Sequence, residues 1–161
     1  MGEPERNLWY LVGPMTACYY EAQNWRNHAK QFLGCIDPYE EEAEIKAPLP
    51  HKNLFEYYKS LRGAHEFDRI RKEFHVILDV NNASVDRAFG VLAYEPYPQD
   101  ISSWGTIKEV VRAYEQDKPV VMWSEVPNEK MNFTMICMSR VIVPTLTEAI
   151  QACKNIEQGA L

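Results

Sequence analysis

The strongest constraint on this chain is an alternation between short apolar runs and longer segments with helical spacing. Leu8-Trp9-Tyr10-Leu11-Val12 is an apolar run ended by Gly13-Pro14, which predicts a buried strand running into a turn. Ala22, Trp25, Ala29, Phe32 and Leu33 then recur at spacings of three and four, predicting an amphipathic helix stopped by Gly34. Cys35-Ile36-Asp37-Pro38 predicts a second strand, Phe89 to Tyr94 a third, Lys118 to Trp123 a fourth and Arg140 to Val143 a fifth. Between them, Ile107, Val110, Val111 and Tyr114 line one face of a helix after Gly105, and Leu146 to Ile156 forms the last helix. Strands that alternate with amphipathic helices imply an α/β fold: a parallel sheet of about five strands with helices on both faces. With 161 residues, the whole chain (1–161) reads as a single domain.

Two stretches are less regular. Tyr39 to Asn53 is acidic first and proline-bearing later, and reads as a solvated surface loop. Leu54 to Phe74 is helical in pattern, whereas Val76 to Val85 fits either a helix or a strand. The balance of 17 Lys+Arg against 23 Asp+Glu gives a net charge of −6, which argues against a nucleic-acid polymer as partner. No stretch approaches the ~18 apolar residues of a membrane span, and the N-terminus lacks a signal-peptide core, so a cytoplasmic protein is expected. Cys18, Cys35, Cys137 and Cys153 form no CxxC pair, and they share no metal-ligand spacing with His28, His51, His65 and His75. Reduced thiols and no metal site are expected, with Cys18 placed just after a candidate ligand loop.

Ligands of parallel α/β sheets sit at the carboxyl ends of the strands. Two strand exits stand out. Gly13-Pro14-Met15-Thr16 follows the first strand, and its small residue allows close approach of backbone to a ligand. Ser102-Ser103-Trp104-Gly105-Thr106-Ile107-Lys108-Glu109 opens the helix after the third. A helix start offers free N–H groups and a positive dipole end, and serine hydroxyls add donors. Glu109 stands three residues after Thr106, which fits a capping box in which both side chains serve the helix. The same carboxylate in a strand-end cleft fits a nucleophile or general base that attacks an anomeric carbon.

Taken in order, Trp9-Tyr10-Leu11-Val12-Gly13-Pro14-Met15, Gly90-Val91-Leu92-Ala93-Tyr94, Ser103-x-Gly105-Thr106-x-x-Glu109 and Lys118-Pro119-Val120-Val121 resemble the nucleoside 2-deoxyribosyltransferase-like superfamily. The resemblance runs from about Leu8 to Val121, and the Ser-x-Gly-Thr-x-x-Glu block is its most specific part. It implies a flavodoxin-like (Rossmann-like) sheet and cleavage of the N-glycosidic bond of a 2′-deoxynucleoside without metal or organic cofactor. Glu109 matches the glutamate that attacks C1′ of the deoxyribose, forming a covalent sugar intermediate from which a second nucleobase or water takes the sugar. Tyr10 matches a tyrosine that helps hold that glutamate. Gly13, Pro14 and Met15 match the ligand-facing turn, and Ser103, Gly105 and Thr106 the substrate-binding helix start.

Asn81 matches a position where many members carry an aspartate that assists the base, and an amide hydrogen-bonds a base edge without exchanging a proton. Asp79 and Asp86 are the neighbouring carboxylates that would serve instead. Phe89 stands where an acidic residue commonly precedes the strand, which makes that position structural here. Ser103 tilts the reading toward 5′-monophosphate substrates, whereas the absence of a Gly- and Arg-rich loop after the first strand tilts it back. The expected activity is therefore deoxyribosyl transfer between nucleobases, with a deoxynucleoside 5′-monophosphate N-glycosidase and a non-catalytic nucleotide-binding module as alternatives. Trp104 and Tyr20 are candidates for stacking on a base or for ordinary packing. The arginines Arg62, Arg69 and Arg71 read as solvated helix surface. The resemblance also implies a homo-oligomer, dimer or higher, with Asn132 and Phe133 in a segment that serves a neighbouring subunit's site.

Overall fold

The structure is a computed structural model that describes residues 7–14, 19–41, 54–101 and 104–161. Five strands form one parallel sheet: β1 (Leu8–Val12), β2 (Gly34–Ile36), β3 (Gly90–Tyr94), β4 (Val120–Trp123) and β5 (Val141–Val143), in the order β2-β1-β3-β4-β5. The helices are α1 (Tyr19–Lys30), α2 (Pro38–Glu41), α3 (Leu54–Gly63), α4 (Phe67–Arg87), α5 (Trp104–Glu115), α6 (Phe133–Met138) and α7 (Leu146–Glu157). Single 3₁₀ turns occupy Gln99–Ile101 and Asn128–Lys130.

Successive side chains of a strand point to opposite faces, and β1 shows why both faces need a helical cover. Trp9 and Leu11 pack with Leu92, Val121 and Trp123 under α1 and α7, through Trp25, Ala29, Ala149 and Cys153. Tyr10 and Val12 face the other way, with Val91, Ala93, Val120 and Met122, under Val85 of α4, Val110 and Ala113 of α5, and Met135 of α6. Trp9 also ties β1 to the end of α7, its Nε1 donating to Glu157 Oε1 at 2.7 Å.

The ambiguous stretch Val76 to Val85 is helical. Ile77, Asn81, Ser84 and Val85 of α4 are buried at spacings of four, three and one, a stripe that only a helix can turn inward. Lys118 closes the far end of that helix by donating from Nζ to the carbonyls of Val85 and Ala88, each at 2.7 Å.

Three expectations are corrected. α1 ends at Lys30, so Phe32 lies in an exposed turn beneath Lys154 Nζ, while Gly34 opens β2 opposite Leu8 instead of merely stopping the helix. The surface loop assigned from Tyr39 begins as the helical turn Pro38–Glu41, and residues 42–53 lie outside the described ones. The sheet-facing side of α5 is Thr106, Val110 and Ala113, while Tyr114 is exposed and Ile107 and Val111 are half-buried. Two small side chains flanking one valine let the helix lie close over β1, β3 and β4, and Ile107 packs at the margin of the same core cluster. Among the described residues no helix is long and apolar enough to cross a membrane.

Candidate active site

β1 lies between β2 and β3, so the chain leaves it toward opposite sides, and this switch point is where an open α/β sheet leaves a crevice for ligands. Tyr10 is a fully buried residue of β1 on the α4–α5 face. Its hydroxyl donates to Glu109 Oε1 at 3.3 Å, joining the strand to the half-buried carboxylate on α5. The expected pair of Tyr10 and Glu109 is thus brought together across 99 residues of sequence.

The capping-box reading of Thr106 and Glu109 does not hold. α5 begins at Trp104, so Thr106 is already inside the first turn instead of preceding it. Its Oγ1 is buried without a hydrogen-bond partner, and Glu109 turns toward Tyr10. Asn81 sits on the buried stripe of α4, which packs against α5, and its Oδ1 is likewise buried without a partner. An unsatisfied buried amide oxygen costs about 1–3 kcal/mol unless something bonds to it. Of the neighbouring carboxylates, Asp79 is exposed and lies 3.6 Å from His75 on its own helix. Asp86 is gripped by Arg112 at 2.6–2.7 Å and by Gln116 at 2.6 Å. The Arg112 hydrogen bonds, with Gln116 adding to them, lower its pKa to about 2, so it stays ionised in an ion pair and is no proton donor near neutrality.

Gly13 is half-buried at the exit of β1. A Cβ there would meet the Trp25 ring at 3.2 Å and Tyr94 Cβ and O at 3.3 Å, so the turn passes between α1 and the end of β3 where a side chain would press on its neighbours. Arg26 holds it from below, Nη2 donating to the Gly13 carbonyl at 3.0 Å. Pro14 follows, half-buried, and Gly105 is exposed in the first turn of α5. Met15, Cys18 and Ser103 lie outside the described residues. Trp104 projects from the start of α5 and is not packed in the core, and Phe89 is packed edge-on against Trp9 at 5.5 Å. Asn132 caps α6, its Oδ1 accepting from Met135 N at 3.1 Å.

Sequence reasoning missed three buried charges near the same sheet edge: Arg26, Asp37 and Glu95. Asp37 directly follows β2 and accepts from Lys30 Nζ at 2.9 Å and Gln23 Nε2 at 3.2 Å. Glu95 directly follows β3, where Tyr97 N donates to its Oε1 at 2.9 Å and Ser124 Oγ to its carbonyl at 2.6 Å. The readable signal was an acid one residue past a buried strand. For Arg26 it was a cation at a position shared with Ala29 and Leu33 on an apolar helical stripe. Among the described residues no group of three His, Cys, Asp or Glu could hold a metal ion.

No protein-family model matches the chain, and no curated protein does. Among solved structures it is similar to one described as a conserved protein from Enterococcus faecalis V583. The TM-score is 0.63 at 13% identity, with 93% of this chain and 98% of that one covered. At that identity the likeness concerns the fold alone.

Proposed function

We propose that this chain cleaves the N-glycosidic bond of 2′-deoxynucleosides and transfers the deoxyribosyl group to another nucleobase, with Glu109 as nucleophile. The observation that carries this reading is the Tyr10–Glu109 contact: a half-buried carboxylate bonded by a buried phenol at the switch point of the sheet. The phenol donates, and the contact limits the carboxylate's rotamers. In the first step a Glu109 oxygen bonds to C1′ as the C1′–N bond breaks. The electron pair leaves with the base, which is protonated from solvent. A ring nitrogen of the incoming base then bonds to C1′, the carboxylate departs with its electrons, and the new base loses its proton to water.

Asn81 fits the base side of this site. Its buried Oδ1 accepts from a base N–H, which meets the need of an otherwise unsatisfied atom, while its amide leaves proton delivery to water. Thr106 Oγ1 is a second buried polar atom in the same position of need, on the first turn of α5. Gly13 and Pro14 supply a turn without bulk through which backbone approaches the sugar.

Incubation with a deoxynucleoside and a foreign base should yield the new nucleoside. In Glu109→Gln, turnover should fall on the order of 10³-fold or more with the melting curve retained. A parallel incubation with a deoxynucleoside 5′-monophosphate alone reports free base and deoxyribose 5-phosphate if the chain is a hydrolase instead. Saturable binding of both substrates with no product, or near-full activity in a folded Glu109→Ala variant, overturns the mechanism.

A further inference from the structure

Lys118-Pro119 leads into β4 with a lysine that the proposed chemistry does not use. Lys118 nevertheless joins three elements. Its backbone N donates to the Ala113 carbonyl at 3.1 Å and closes the last turn of α5. Asp117 before it has φ 56°, the left-handed conformation that ends a helix and turns the chain back. The Lys118 ammonium then reaches the end of α4, where it donates to the carbonyls of Val85 and Ala88, each at 2.7 Å, and to that of Asp86. An ammonium has three donors and no acceptor, so three carbonyls use all of it. Directly after it, the Pro119 carbonyl accepts from Val91 N of β3 at 2.9 Å. The ends of α4 and α5 are thus pinned to one point at the root of β4.

Further polar ties run along the seam between the two helices. Lys108 bonds Asn82 and Arg112 bonds Asp86, each pair 26 residues apart, and Gln116 bonds Asp86 across 30. Residue numbers climb together on both sides, so α4 and α5 run parallel. At those offsets Asn81 stands level with residues 107–111, the stretch centred on Glu109. Apolar packing does little to hold this register. Of the buried side chains of α4, only Ile77 and Val85 are apolar. Between them lie Asn81 and Ser84, whose Oδ1 and Oγ are buried without partners, and Thr106 Oγ1 of α5 is in the same condition. Helices keep their register where bulky ridges interlock, and small polar side chains make poor ridges. A slip of one turn, ~5.4 Å, would carry Asn81 past Glu109 altogether.

We propose that Lys118 is a positioning residue for this site: by pinning the ends of α4 and α5 to the root of β4, it sets the register that holds Asn81 level with Glu109. Its effect on turnover rests on the site proposed above, with Glu109 on the sugar and Asn81 on the base. Its effect on the place of Asn81 does not.

Lys118→Met keeps the aliphatic stem and removes the ammonium. With deoxyinosine as donor and adenine as acceptor, KM for deoxyinosine should rise on the order of tenfold while kcat stays within about threefold, because a displaced Asn81 weakens a contact made equally before and during the reaction. Asn81→Ala should raise KM in the same way, and adding Lys118→Met to it should raise KM no further. A role in stability alone lowers Tm and leaves KM unchanged in the folded variant, as does the control Lys130→Met at an exposed lysine. Asp86→Asn loosens the same seam from an exposed position and should raise KM in the same direction, which serves if Lys118→Met does not fold. A second readout needs no substrate. In an isotope-labelled chain the side-chain amide signals of Asn81, identified by their loss in Asn81→Ala, should shift in Lys118→Met and stay fixed in Lys130→Met. Shifted signals in a chain whose parent turns over no deoxynucleoside would end the transferase reading and leave the positioning of Asn81 standing. Unmoved Asn81 signals overturn the proposal. So does an unchanged KM in folded Lys118→Met, or a rise that adds in full to that of Asn81→Ala.

Discussion

The contact between Tyr10 and Glu109 can be weighed without any assay of activity. Tyr10 is fully buried, so Tyr10→Phe keeps the ring packing and deletes only the hydroxyl. Hydrogen bonds to charged groups contribute about 1.5–3 kcal/mol, and neutral ones about 1. At 3.3 Å this O–H···O contact is longer than the usual ~2.5–3.0 Å, and the carboxylate is half-buried, so about 1 kcal/mol is expected. A double-mutant cycle of Tyr10→Phe and Glu109→Ala, followed by urea unfolding, isolates that interaction from the packing each change disturbs. For a chain of this length, Tyr10→Phe alone should lower Tm by about 2–4 °C. The coupling should exceed the ~0.3–0.5 kcal/mol within which independent sites add. If the chain is the proposed transferase, Tyr10→Phe should also lower kcat roughly tenfold with little change in KM, as loss of a positioning contact does. Strict additivity in the cycle would refute the claim that the phenol holds the carboxylate, whatever the activity data say.

Gly90→Ala should destabilise by about 1–3 kcal/mol in thermal or urea melts. The new Cβ would lie 2.7 Å from both the Pro119 carbonyl, which accepts from Val91 N, and the buried Trp9 ring, so a variant as stable as the parent would contradict the β1–β3–β4 packing. Asp86 has a folded pKa of about 2, below the unfolded value near ~3.9, so its ion pair contributes stability above that unfolded value and loses it as pH falls toward 2. Both partners are more than a third exposed, so screening limits the effect to about 0.5–1 kcal/mol. The gap between parent and Asp86→Asn should shrink from pH 7 to pH 2, and a pH-independent gap would remove the ion pair as its cause. Under brief treatment with a thiol reagent, exposed Cys137 should label first among the described cysteines. Burial pushes the Cys153 thiol well above its ordinary range, so equal labelling of Cys153 in the folded protein would contradict its place under the sheet.

The strands were legible because a buried parallel strand must be apolar on both faces, and β1 and β4 are unbroken runs of such residues. The stretch Val76 to Val85 was ambiguous because its inward stripe includes Asn81 and Ser84, polar residues that weaken any hydrophobic period. α6 left no signal: six residues make less than two turns, and only Met135 is buried, so no repeat exists to count. The tilt of α5 was misread for a related reason. Its sheet-facing side chains are small, and of the larger apolar ones that dominate a periodicity count Ile107 packs at the margin of the core, Val111 is half-buried and Tyr114 is exposed.

Two occurrences of one motif show where local reading stops. Thr145-x-x-Glu148 and Thr106-x-x-Glu109 have the same spacing. In the first, Thr145 precedes α7, Glu148 N donates to its hydroxyl at 3.2 Å, and the hydroxyl in turn donates to the Glu148 carboxylate at 2.7 Å. In the second, the helix has already begun at Trp104, so Thr106 has helical backbone and faces the sheet. Glu109 is then turned from the cap toward β1, where Tyr10 meets it. The difference lies in three residues of helix start, Trp104 instead of Ile107, which the spacing does not encode. Had α5 begun at Ile107, Glu109 would stabilise its own helix as Glu148 does. Because it begins earlier, Glu109 meets the Tyr10 hydroxyl of β1.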